Sequence, residues 1–290
     1  MAEIIQKDGT WAFDGEALRL TPGRDKNVSL FRRELGELLV PLGALAGVSF
    51  EQGRRSGRLR LRLRDGADPL TQATAGRLAE GDDPYQLPVQ SDRYGVAEYV
   101  ADEVRQALLL DGIPPDPVDA FLLPGPALPV AASAGDGTAS FDGERVRLEW
   151  NWKTEDAKAA AGPRAIPVTE ITGVEWQPAA GLENGHLRFL VRGAPVTAPP
   201  KYDPNAVELW GFKKDPLMAL VAAAVQARLP HPAAPEADVP QDPPVLDKAP
   251  AGDDHDTLLR RLRELGELHR DGVLTDEEFT LAKQAVLKRL

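Results

Sequence analysis

The stretch DGTWAFDGEALRL, residues 8–20, occurs a second time as DGTASFDGERVRL, residues 136–148. Nine of the thirteen positions are identical. Apolar residues alternate on both sides of the central Phe-Asp-Gly-Glu, which predicts a β-hairpin whose turn contains a glycine with positive φ. Because so long a stretch recurs, the sequence predicts one fold built twice.

The features that follow each copy come in the same order. A strand, a bend and a second strand are predicted over 40–50 and again over 166–176. Next come a strand beginning at Gly57 or Gly185, an Asp-Pro loop, a short strand and an amphipathic helix. This order predicts the α+β class, with each repeat an antiparallel β-barrel or sandwich closed by its C-terminal helix.

Proline-rich stretches divide the chain. We predict a first repeat domain over 1–112, a proline-rich linker over 113–135, a second repeat domain over 136–230, a disordered Pro/Ala/Asp linker over 231–256, and a C-terminal helical hairpin over 257–290.

The predicted hairpin carries an apolar stripe along each of its two helices. Helices of this length cannot bury a core of their own, so the stripe predicts self-association or docking on a protein partner. The residues expected to mediate this contact are Leu258, Leu262, Leu265, Leu268, Phe279, Val286 and Leu287.

Composition narrows the classes of function. The chain has no cysteine, which excludes disulfides and thiolate zinc sites, and its net charge of −11 disfavours nucleic acid as a partner. The N-terminus lacks the pattern of a secretory signal and no apolar run is long enough to span a membrane, so a cytoplasmic protein is expected. No catalytic motif, metal-ligand spacing or cofactor fingerprint is present, and we predict no catalytic residue, metal or cofactor.

One strand has a basic face. In Gly57-Arg58-Leu59-Arg60-Leu61-Arg62-Leu63-Arg64 the arginines alternate with leucines, so Arg58, Arg60, Arg62 and Arg64 are expected on one side of a sheet. We call these four residues the arginine ladder. Stacked guanidinium groups could bind phosphates or carboxylates, including an anionic membrane surface. The alternative is a solvated face balanced by acids on neighbouring strands.

Two aromatic pairs stand out in the second repeat. Trp150 and Trp152 form one, and Trp210 and Phe212 the other. They could line a peptide groove, or they could pack in the core or at the rim of a barrel.

The residues also resemble known families. Residues 262–290, with the run LGELHRDGVLTDEEF, resemble the short C-terminal domain family (SHOCT) of bacteria, which implies an oligomerisation or targeting appendage. The Phe-Asp-Gly hairpins and the strands with Gly47-Val48 or Gly173-Val174 resemble a tandem bacterial domain of unknown function, family number 4429. That resemblance implies a pleckstrin-homology-like fold and a binding function.

Taken together, these patterns predict a non-enzymatic interaction or scaffold protein. Its barrels would hold a peptide or protein ligand, and its tail would mediate assembly or docking. The alternatives are a peripheral membrane or anionic-ligand binder acting through the arginine ladder, and an enzyme whose chemistry no motif reveals.

Overall fold

The computed structural model describes residues 1–194, 196 and 198–234. The first repeat contains strands β1 (Ala2–Gln6), β2 (Gly9–Phe13), β3 (Ala17–Pro22), β4 (Leu38–Pro41), β5 (Leu45–Glu51), β6 (Ser56–Leu63) and β7 (Gln86–Gln90), with helices α1 (Leu30–Leu35), α2 (Pro69–Thr74) and α3 (Tyr94–Leu110). The second contains β8 (Val130–Ala134), β9 (Gly137–Phe141), β10 (Arg145–Trp150), β11 (Arg164–Pro167), β12 (Ile171–Gln177), β13 (Gly185–Val191) and β14 (Ala206–Leu209), with helices α4 (Asp156–Ala160) and α5 (Met218–Gln226).

Each repeat has a four-stranded and a three-stranded sheet. The strand orders are β1-β2-β3-β4 and β5-β6-β7 in the first repeat, and β11-β10-β9-β8 and β12-β13-β14 in the second. All strand pairs are antiparallel. A mixed α+β fold with antiparallel sheets and a closing helix in each repeat is therefore confirmed.

The repeated hairpin turn is built alike in both copies. Gly15 and Gly143 have φ of +108° and +109°, a region that glycine enters at little cost. Asp14 accepts hydrogen bonds from the N–H groups of the two residues after Gly15, and Asp142 does the same in the second repeat. These backbone hydrogen bonds lower the pKa of both carboxyl groups. The predicted glycine turn is confirmed.

The predicted linker over 113–135 contains structure that its composition does not reveal. Strand β8 lies within it and pairs with β9, so the predicted start of the second repeat at 136 is too late. The sequence Val-Ala-Ala-Ser-Ala has only one large apolar residue, which is why the alternation of a strand is not visible in it. Earlier in the same stretch, Leu122 and Leu123 donate backbone hydrogen bonds to the carbonyl of Ala67.

Part of the first repeat is buried in the hydrophobic core of the second. Helix α2 belongs to an insertion over 65–82 in the first repeat, yet its Leu70 and Ala73 are buried in the same apolar cluster as α5 of the second. Because α5 is covered by its own sheets and by α2, every residue from Met218 to Gln226 is buried. Residues Met1–Pro235 accordingly form one compact unit.

Candidate functional site

The arginine ladder lies on β6 as its alternation predicts. Leu59 and Leu61 are buried, whereas Arg60 and Arg62 are exposed. On the neighbouring strand β5, Glu51 pairs with Arg58 and Ser49 pairs with Arg60.

Most of the ladder is engaged with its own chain. Arg58 forms an ion pair with Glu80. Arg62 Nη2 donates to the carbonyl of Ala46 at 3.3 Å, and Arg64 donates to the carbonyls of Asp116 at 2.7 Å and Gly43 at 3.0 Å. Within the described part of the chain, Arg60 is the one arginine of the four whose side chain forms no hydrogen bond or ion pair. The ladder therefore offers an incoming anion less free donor capacity than its sequence implies.

A buried ion pair that the sequence patterns do not reveal lies in the second repeat. Lys158 Nζ is 2.6 Å from Asp136 Oδ2, and the two side chains are 0% and 2% exposed. Asp136 Oδ1 accepts the backbone N–H of Glu208 at 2.8 Å. Lys158 also donates to the carbonyl of Pro200 at 3.2 Å and lies 4.4 Å from the centre of the Trp150 ring. Burial raises the pKa of Asp136 and lowers that of Lys158.

A second ion pair lies close to the first. Arg188 Nε is 2.9 Å from Asp203 Oδ2, and Arg188 Nη2 donates to the carbonyl of Ala198 at 2.9 Å. The negative charge of Asp203 also raises the pKa of Lys158, against the larger effect of burial. The Lys158–Asp136 pair is satisfied by its own ions and by backbone, whereas Arg188 Nε lies close to Asp203 without forming a hydrogen bond of good geometry.

The first repeat has a looser version of this arrangement. Arg32 stands nine residues before Pro41, as Lys158 stands nine residues before Pro167, and each is the third residue of its short helix. Arg32 is 7% exposed, and burial lowers its pKa. Among the described residues no carboxylate lies within 4 Å of it. A cleft of about 250 Å³ opens beside Arg32.

Asp68 is the most buried carboxylate of the first repeat and is fully hydrogen-bonded. It accepts the backbone N–H groups of Leu70 and Thr71, the Thr71 hydroxyl, and the Tyr85 hydroxyl at 2.8 Å. Burial raises the pKa of Asp68 and of Tyr85. Oδ1 accepts one of these hydrogen bonds and Oδ2 accepts three, so Asp68 acts as the N-cap of α2 and also holds the Tyr85 hydroxyl.

A larger cleft, of about 580 Å³, lies between β4, α2 and the 122–128 segment. Its walls are mainly apolar, and the charged residues Glu37, Asp68 and Arg228 also line it. The apolar wall residues include Leu35, Leu38, Leu39, Leu122, Pro124 and Leu128. Since β4 is the last strand of its sheet, one side of its backbone has no partner strand in the described chain. The cleft is thus an apolar groove next to a sheet edge.

The aromatic pairs are divided between packing and surface. Trp150 packs on Lys158 and donates its indole N–H to the carbonyl of Gly162 at 2.8 Å. Trp152, in contrast, is 89% exposed, and Phe212 is 59% exposed with its ring 6.1 Å from that of Trp210. The packing interpretation therefore fits Trp150, and Trp152 and Phe212 remain at the surface.

The remaining predictions from the sequence concern metal-binding groups, membrane-spanning helices and the contacts made by the tail. In the described ranges, no group of three or more His, Asp or Glu side chains is placed to hold a metal ion. No described helix is long and apolar enough to cross a membrane. The tail residues predicted to mediate assembly, from Leu258 to Leu287, lie outside the described residues.

Comparison with known proteins identifies the repeats. No curated protein matches the chain. One family model, described as "Domain of unknown function (DUF4429)", matches twice, over residues 11–105 and 139–226. The first match runs from within β2 into α3, the second runs from within β9 to the end of α5, and together they cover more than half of the chain. The chain therefore belongs to the DUF4429 family and carries its domain in tandem.

Proposed function

We propose that this chain is a non-enzymatic interaction or scaffold protein whose first repeat binds an extended apolar peptide of a partner protein. The observation that carries the proposal is the groove of about 580 Å³ beside β4. An extended peptide can add a strand to a sheet edge and place alternate side chains in an adjacent apolar groove. Both features occur together here, and Leu39 of β4 is half exposed within the groove.

Each repeat is also proposed to be pleckstrin-homology-like. A four-stranded sheet, a three-stranded sheet and a C-terminal helix, in this order, support the proposal. Such a scaffold leaves sheet edges and loop ends free for binding.

The tail is proposed to mediate assembly. Its leucine stripe and its resemblance to the short C-terminal domain family support this role. The test is the solution mass of the full chain and of a 1–250 truncation across a range of concentrations. The full chain should gain mass with concentration while the truncation stays monomeric; equal masses would contradict the assembly role.

The groove is tested by selecting peptides from a displayed library on the full chain and measuring their affinity by calorimetry. Leu39→Glu places a charge in the groove and should weaken the selected apolar peptides by roughly tenfold or more, because an apolar side chain that covers the new carboxylate removes its hydration. Leu110→Glu is the matched control, since Leu110 is exposed at the end of α3. Failure to select any peptide, or equal affinity for both variants, would reject the groove as the site.

A further inference from the structure

Three large hydrophobic side chains are presented by loops of the second repeat. Trp152 is 89% exposed, Phe212 is 59% exposed and Leu182 is fully exposed. Single exposed hydrophobic residues are ordinary on a protein surface. A tryptophan with almost no protein contact is less common, and three such side chains on neighbouring loops indicate a surface that meets something else.

Strand pairing brings these loops to one end of the repeat. The last residue of β10 pairs with Gly137, so the Trp152 loop leaves beside the β8–β9 turn. Gly185 pairs with Leu209, so the Leu182 loop and the Phe212 segment also leave together. A hydrogen bond of 3.2 Å, from the N–H of Asp136 in the β8–β9 turn to the carbonyl of Glu208 in β14, holds these two pairs of loops side by side.

The same loops carry three lysines in an acidic protein. Lys153, Lys213 and Lys214 lie in them, against the exposed carboxylates of Glu155 and Glu183. Lys153 Nζ lies 5.3 Å from the Trp152 ring centre and 5.9 Å from that of Phe212, so cation–π attraction holds charge and aromatic surface together. Neighbouring Asp215 is buried, and one of its oxygens accepts two backbone N–H groups.

The first repeat provides an internal comparison. Counting from matched positions in the two repeats, Trp152 corresponds to Arg24, Leu182 to Arg54 and Phe212 to Asp92. All three hydrophobic side chains therefore stand where the first repeat has a charged residue. The apolar end is a property of the second repeat and does not follow from the shared fold.

We propose that this end of the second repeat docks on an anionic lipid surface. Trp152, Leu182 and Phe212 enter the headgroup region, where tryptophan is favoured because its ring is apolar and its N–H is polar. The three lysines meet the lipid phosphates. A bilayer fits better than a folded partner because the side chains project from separate loop tips. This inference concerns a different surface from the peptide groove. Its experiment does not depend on peptide binding.

The experiment is co-sedimentation of the full chain with vesicles of equal parts phosphatidylglycerol and phosphatidylcholine, compared with pure phosphatidylcholine. Binding should favour the anionic vesicles and weaken as salt is raised. Lys213→Ser with Lys214→Ser should lower the partition coefficient roughly 25-fold, if each lysine near the surface contributes as is typical. Trp152→Ser with Phe212→Ser should lower it by roughly tenfold or more, since both rings are removed from the interface.

Matched controls locate the effect. Leu109→Ser with Leu110→Ser removes two hydrophobic side chains exposed on α3 and should leave binding unchanged. Changing the arginine ladder to serine should also leave it unchanged. The proposal is overturned if the full chain stays in the supernatant with anionic vesicles, or if the Trp152 and Phe212 variant binds as the unaltered chain does. It is equally overturned if the α3 control loses binding to the same extent.

Discussion

The ammonium of Lys158 lies 2.6 Å from the carboxylate of Asp136, and neither side chain is more than 2% exposed. This contact joins α4 to the turn between β8 and β9. In the first repeat, the corresponding Arg32 has no such partner within the described residues. The same fold therefore contains a buried ion pair in one repeat and a buried cation without a close counter-ion in the other. Matched substitutions can compare the stability that each cation contributes.

Lys158→Met should destabilise the protein by about 3–5 kcal/mol, because Asp136 would be left buried without its counter-charge. Arg32→Met should cost no more than about 1 kcal/mol, because it removes a charge that has no close partner, and methionine keeps much of the apolar stem. Urea unfolding of both variants measures the difference. Equal losses would show that Arg32 has a partner of comparable strength.

Leu70→Ala should weaken the second repeat although Leu70 belongs to the first. Its side chain is 2% exposed in the cluster that includes α5, so a loss of about 2–5 kcal/mol is expected. Hydrogen exchange should then quicken in β12 and β13 of the second repeat. Leu110→Ala, at an exposed position, is the control and should change neither quantity. Faster exchange confined to the first repeat would mean that the shared core does not couple the two.

Gly15→Ala should cost about 1–2 kcal/mol, because alanine is strained at a φ of +108°. No atom lies within 4 Å of a Cβ built at Gly15, so the loss would report backbone conformation and not crowding. Gly43 has equally open space without positive φ, and Gly43→Ala should be neutral or slightly stabilising. Thermal or urea unfolding separates the two, and a harmless Gly15→Ala would argue against the observed turn.

Acid should destabilise the fold in part through His186. Burial, and next the positive charge of Arg188, lower the pKa of His186 below its ordinary 6.5. The unfolded chain then binds the proton first, so stability is lost as pH falls from about 6.5 toward the lower pKa of the folded state. His186→Gln should flatten this part of the stability–pH curve. An imidazole pKa at or above 6.5 in an NMR titration of the folded protein would contradict the expected sign.

The sequence alone determined the features that depend on local pattern. Alternation in 57–64 placed Leu59 and Leu61 inside and the arginine ladder outside, since successive side chains of a strand point to opposite faces. The repeated Phe-Asp-Gly-Glu determined two hairpin turns, because only glycine reaches their φ at little cost. The tandem organisation followed from the repeat itself.

Only the tertiary structure decided which distant residues meet. Nothing in the pattern around Lys158 points to Asp136, twenty-two positions earlier, and nothing in the 65–82 insertion points to α5. The local alternation of β6 likewise carried no information about the partners of its arginines. Arg58 pairs with the Glu80 side chain, and Arg64 donates to the carbonyls of Gly43 and Asp116. Pairing of this kind is set by how sheets, loops and helices close on one another, because burial and ion pairing act between elements that are far apart in the chain.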